Sequence, residues 1–124
     1  MPSHAVLDAF VATVVAGRHD EAIDRFYAED ATMQENLAPP RRGRGLLVAQ
    51  ERKTMSRFKE IRTTCVPPVL VEGDVAVVRW VFEFVKADRS TVRMEELAWQ
   101  RWAGDKIAEE RFYYDPAQTA ALRG

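Results

Sequence analysis

Apolar and polar residues alternate through three consecutive stretches of this chain, 74–85, 91–102 and 106–115. A period of two marks strands with one face buried and the other free. Residues 87–90 and 103–105 have the small, polar composition of tight turns, so the three strands join as antiparallel hairpins. If even-numbered positions share a face, that face carries Trp80, Phe82, Phe84, Met94, Glu96, Ala98, Gln100, Glu110, Phe112 and Tyr114. An aromatic wall interrupted by two carboxylates and an amide suits a ligand pocket better than a plain core.

The first half changes period. Between residues 3 and 16, Val6, Leu7, Phe10, Val11, Val14 and Val15 recur at helical spacing, and Gly17 supplies a stop. Asp20 is a candidate cap for a second helix in which Ile23, Phe26 and Tyr27 share a face. A short strand over 31–36 follows, then the Pro39–Pro40 break and a loop to Gly45. Residues 46–58 read as a third helix with Leu47, Val48, Met55 and Phe58 turned inward. The stretch 61–71 is extended, and Pro67–Pro68 require a bulge or an edge position there. Helices first and an antiparallel meander after them is the α+β pattern.

A length of 124 residues is enough for one domain with one core, residues 1–124. Charged residues make up 30% and the formal net charge is −1, with no basic face of the kind nucleic-acid binding needs. The cluster Arg41, Arg42 and Arg44 reads as a solvated loop. No apolar run approaches the ~20 residues of a membrane span, and no basic-then-apolar leader opens the chain. With the single Cys65, which fits a small buried hydrophobe, these features predict a cytoplasmic protein without disulfides. His4 and His19 have no partner at metal-ligand spacing and no glycine-rich loop fits a nucleotide, so neither metal nor cofactor is expected.

Four segments, in order, resemble the nuclear-transport-factor-2-like superfamily and its SnoaL-like, polyketide-cyclase-like branch. They are FYAEDAT at 26–32, RGRG at 42–45, GD at 73–74 and DKIAEERFYYDP at 105–116. The resemblance implies a cone: three N-terminal helices packed on the concave face of a strongly curved, mainly antiparallel sheet. It does not transfer an activity, because chemistry varies widely on this fold. Against ketosteroid isomerases, Glu35 falls near the catalytic base, but the two oxyanion donors fall on Phe10 and Ala98. Against limonene-epoxide-hydrolase-like members, Gln34 and Asn36 fall near the Tyr and Asn positions. The Arg and the two Asp positions there fall on Trp80, Phe82 and Phe112. Both mechanisms are therefore disfavoured.

What remains is an acidic residue on a late strand, as in SnoaL-type cyclases. Glu110 is the first candidate, with Glu96 diagonally placed on the adjacent strand and Glu35 as a third. Two carboxylates facing an apolar cavity raise each other's pKa and suit general acid–base work. Gln34, Asn36, Trp80, Phe82, Phe84, Met94, Phe112 and Tyr114 are the candidate substrate-binding residues. Along a regular strand, either Glu35 or the pair Gln34 and Asn36 faces the pocket. Tyr27 and Tyr114 are candidate proton donors, although buried tyrosines more often anchor a core. The opposite sheet face exposes Val81, Leu97, Trp99 and Tyr113 among charges, which predicts a homodimer through that face. The expected function is cofactor-free isomerisation, cyclisation or hydration of a small apolar or aromatic carbonyl compound. The alternatives are a dimeric carrier or sensor and a plain dimerisation module.

Overall fold

The computed structural model describes residues 1–123. Helix α1 (His4–Val15) starts where the Ser3 hydroxyl accepts a hydrogen bond from the Val6 N–H at 3.2 Å, satisfying one of the unpaired first-turn donors. It stops at Gly17, whose φ of +84° lets the chain reverse. Helix α2 (His19–Phe26) follows at once, and strand β1 (Tyr27–Glu35) continues from it without a loop. Asp20 does not cap α2; its carboxylate lies 3.1 Å from Arg52 on the next helix. Tyr27 is the first residue of β1 rather than the last of a helix face.

Residues 41–42 form a two-residue edge strand, β2 (Arg41–Arg42), paired antiparallel with β1, where a solvated loop was expected. The three arginines of this segment are all engaged: Arg41 with Glu35 and Gln50, Arg42 with the Asp30 carbonyl, and Arg44, which opens the next helix, with the Tyr27 carbonyl. Helix α3 (Arg44–Ser56) then leads into β3 (Glu60–Glu72), β4 (Val75–Val85), β5 (Thr91–Ala103) and β6 (Lys106–Tyr113). The sheet order is β2-β1-β6-β5-β4-β3, antiparallel except for the β1–β6 pair. Pro67 and Pro68 lie on the edge strand β3, where the register against β4 shifts between Val66 and Leu70. Both consequences of losing ladder donors are thus present.

The β5–β6 hairpin decides which residues face inward. Its loop is two residues, Gly104 (φ +60°) and Asp105, rather than three. Unbroken, that loop would pair Gln100 with Glu109 and turn Glu110 outward. A bulge intervenes: Trp102 pairs with Ile107, but Arg101 pairs with Glu109. The extra residue restores the register Gln100↔Glu110 and Ala98↔Phe112, so Ile107 and Glu110 both point in.

The core lies between the concave sheet face and helices α1–α3. Phe10 sits at its centre, meeting Phe26, Trp102 and Trp80 edge-on at 5.6, 5.8 and 6.3 Å. Leu7, Ile23, Leu47, Val78, Ala98 and Ile107 close around it. A fourth helix, α4 (Ala117–Arg123), follows the sheet where only three helices were expected. Beyond the end of β6 the Glu95 N–H and C=O lack a strand partner. The Gln118 side-chain amide supplies both bonds at 2.9 Å, in place of a ladder residue. Among the described residues no helix is long and apolar enough to cross a membrane.

Candidate functional site

Sheet curvature leaves a cavity of about 240 Å³ between the concave face and the helices. Trp80, Phe82, Phe84, Met94 and Phe112 line the sheet side, with Glu96 and Glu110 set among them. Helix residues Phe10, Ile23, Glu51 and Thr54 line the other side, while Thr119 and Leu122 of α4 reach the mouth. An apolar enclosure with a few convergent polar groups is what a small-molecule site requires.

Glu110 is 1% exposed, yet both carboxyl oxygens are satisfied. The Tyr27 hydroxyl donates to Oε1, and the Gln100 amide donates to Oε2 at 2.6 Å. Trp102 fixes the sense of that amide. Its indole N–H can only donate, and it meets the Gln100 oxygen at 3.1 Å, which leaves the Gln100 NH₂ for Glu110. Burial pushes the Glu110 carboxyl up to about 7, against the lowering from the Tyr27 and Gln100 bonds and with a further rise from the Glu51 charge. Burial, then Glu110, in turn holds the Tyr27 hydroxyl well above its usual 10, so it stays a donor.

Glu96 differs. It is 8% exposed, and among the described residues no donor meets its carboxyl. Burial first, then the charges of Glu110, Glu35 and Glu51, raises it well above the carboxylate range. The two glutamates are not nearest diagonal neighbours: Glu110 lies opposite Gln100, so Glu96 sits four positions further along β5. Two carboxyls on one apolar wall, one anchored by donors and one open to the cavity, separate a hydrogen-bonded group from a ligand-facing one.

Glu35 lines the mouth with its side chain 47% exposed, 3.6 Å from Arg41 and 3.1 Å from the Tyr114 hydroxyl. Burial, then the neighbouring Glu35, pushes Tyr114 up to about 12. Tyr114 itself lies past the end of β6 and outside the cavity lining. Gln34 and Asn36 are also outside it. Gln34 points to the outer side beside Thr32 and Arg101. Asn36, at φ +49°, ties β1 to β6: its N–H donates to Phe112, its side-chain oxygen accepts from the Tyr114 N–H, and its carbonyl accepts from Arg111. Strand parity explains the outcome, since buried Ala31 and Met33 put Glu35, not its neighbours, on the inner face.

Tyr27, a candidate proton donor from the sequence, lines the cavity with Glu110 as its partner, and Arg41 lines it where a solvated loop was expected. His19 and Glu51 are far apart in sequence, yet both line the cavity, with His19 Nδ1 at 3.5 Å from Glu51. The other ring nitrogen lies 2.7 Å from the Thr63 hydroxyl.

A curved sheet covered by helices on its concave face is the nuclear-transport-factor-2-like α+β fold. The sequence profile of the SnoaL-like domain matches residues 7–110, and the chain belongs to that family. A candidate SnoaL-like polyketide cyclase from Mesorhizobium loti is 22% identical, with a TM-score of 0.73 over 89% of this chain and 97% of that one. A cystatin-like-fold protein of unknown function from Xanthomonas campestris is 16% identical, with a TM-score of 0.81 over 100% and 99% of the two chains. TerC, co-crystallised with polyporic acid, is 14% identical, with a TM-score of 0.78 over 95% of each. At these identities the likeness establishes the fold alone. No curated protein matches the chain significantly.

Proposed function

We propose that the cone binds a small aromatic or apolar carbonyl compound and performs cofactor-free proton transfer on it, as in an isomerisation, cyclisation or hydration. The observation that carries this reading is Glu96, a buried carboxyl lining an apolar cavity with no donor on it among the described residues. With burial holding its pKa well above the carboxylate range, its protonated form can donate to a carbonyl oxygen where charge develops. Glu110 holds the second titratable proton on the same wall, steadied by Tyr27 and Gln100. The flat side chains Trp80, Phe82 and Phe84 offer faces to a ring. Glu35, exposed and paired with Arg41, belongs to the mouth. Binding of polyporic acid by the related fold of TerC agrees with an aromatic occupant.

The test uses 2-tetralone, a two-ring ketone with exchangeable α-hydrogens. Binding is read by quenching of tryptophan fluorescence and turnover by loss of α-proton signal in D₂O. Catalysed exchange that falls by at least ~100-fold in Glu96→Gln, with binding retained, supports the reading. Binding without exchange would favour a carrier instead.

We also propose that the outer sheet face pairs with a second copy of the chain. Leu97 and Tyr113 face each other across β5 and β6 at 45% and 44% exposure, with Val81 and Trp99 close by. The Arg79–Glu95 and Arg101–Glu109 pairs flank them on the same face. An apolar centre with a charged surround is the composition of an isologous interface.

A further inference from the structure

The helix wall of the cavity carries a polar cluster that the glutamates of the sheet do not explain. His19 opens α2, Glu51 lies on α3 and Thr63 on β3, so three elements converge on one imidazole. The ring is 8% exposed, with Nε2 hydrogen-bonded to the Thr63 hydroxyl at 2.7 Å and Nδ1 3.5 Å from the Glu51 carboxylate, within ion-pair distance. Its edge meets the Phe82 ring with centroids 5.7 Å apart, which fixes the plane as well. A side chain so restrained aims its partner. Glu51 lines the cavity, keeps 27% of its side chain exposed and faces the sheet wall that bears Glu96 and Glu110. Its charge is felt by Tyr27, Glu96 and Glu110 alike, as expected of a carboxylate looking across the same space.

We propose that Glu51 is a catalytic base on the helix wall, with His19 and Thr63 as its positioning residues, so that the cone takes an enolisable ketone between Glu51 and Glu96. The inference rests on the carbonyl-binding reading above and adds the missing acceptor. The α-C–H bond breaks and its proton passes to a Glu51 oxygen. The electron pair becomes the C=C bond of an enol, and the carbonyl oxygen takes the Glu96 proton. Reversal at the same or a conjugated carbon returns the proton to carbon, gives Glu96 its proton back and restores the ketone, with no oxidant or metal consumed. The partial exposure of Glu51 lets its proton exchange with water, so deuterium enters the product in D₂O.

The experiment follows α-hydrogen exchange of 2-tetralone by proton NMR in D₂O, with tryptophan quenching as an independent measure of binding. Glu51→Gln should lower the exchange rate at least ~100-fold with binding unchanged within a few-fold, and Glu51→Asp should recover part of it. His19→Leu should lower the rate at saturating ketone without changing binding. His19→Asn, whose amide can take the place of Nδ1, should recover part of that loss, which a purely structural role would not give. Exchange at the wild-type rate in Glu51→Gln, with Glu96→Gln inactive, overturns this proposal and leaves the carbonyl reading standing. Binding without exchange in the wild type overturns both.

Discussion

Glu110 makes the stability of this protein depend on pH in a direction opposite to that of a paired surface carboxylate. Its folded-state value of about 7 lies above the ordinary 4.5, so between those values the folded chain holds a proton that the unfolded chain has released. Stability is then fully present below about pH 4.5 and falls as pH rises through 7; the shift is worth roughly 3 kcal/mol. Tyr27 limits the loss, because its hydroxyl donates to the charged form. Tyr27→Phe removes that donor without changing the ring that packs against Phe10. A hydrogen bond to a charged group is worth about 1.5–3 kcal/mol and one to a neutral group about 1. The variant should thus cost about 1 kcal/mol at pH 5 and about 2–3 kcal/mol at pH 8.5, and Glu110 should move up by roughly 0.7–1.5 pH units. Urea unfolding at both pH values, with equal m-values as the check on two-state behaviour, measures the first quantity. Carbon-13 NMR of the carboxyl measures the second. An equal cost at pH 5 and 8.5, or a Glu110 midpoint that moves down, would refute the reasoning.

Other consequences follow from the same geometry. Trp102→Phe removes the donor that orients the Gln100 amide; Gln100 can then turn its oxygen toward Glu110, and the Glu110 midpoint should rise in NMR titration, whereas no change would show that Trp102 only packs. Trp99→Glu places a charge at the centre of the proposed interface, so sedimentation should show a dimer in the wild type and a monomer in the variant, and an unaltered dimer would exclude this face. Gln118→Ala unties α4 from the Glu95 backbone, and hydrogen exchange should speed up across α4 and at Glu95 while β4 stays protected.

The sheet was legible because one buried face imposes a period of two, and the aromatic wall followed from it. The bulge that turns Glu110 inward was not, since nothing in a local window distinguishes Ala108 from an ordinary ladder residue. Tyr27 misled because residues 23, 26 and 27 fit one helical face; the chain passes from α2 to β1 without a turn signal. The orientation of Glu35 was available in the alternation Ala31, Met33, Glu35, and its neighbours were proposed as pocket residues only by analogy with other members of the fold. Helix α4 also left a mark, Asp115 before Pro116, and the Asp115 carboxylate does accept from the Ala117 N–H at 2.9 Å. His19 and Glu51 are a different case. In its own segment His19 reads as a residue of the turn before the second helix and Glu51 as a solvated helix charge, and only the packing of α2 on α3 and β3 brings them to one cavity.

The claim on which the account depends is that the cone holds a carboxyl kept neutral for a ligand. Carbon-13 NMR titration of the Glu96 side chain in ligand-free protein tests it most directly. The account predicts a Glu96 midpoint well above the ordinary glutamate range, raised first by burial and then by the neighbouring carboxylates. A Glu96 midpoint close to the ~4.3 of a free glutamate would contradict it.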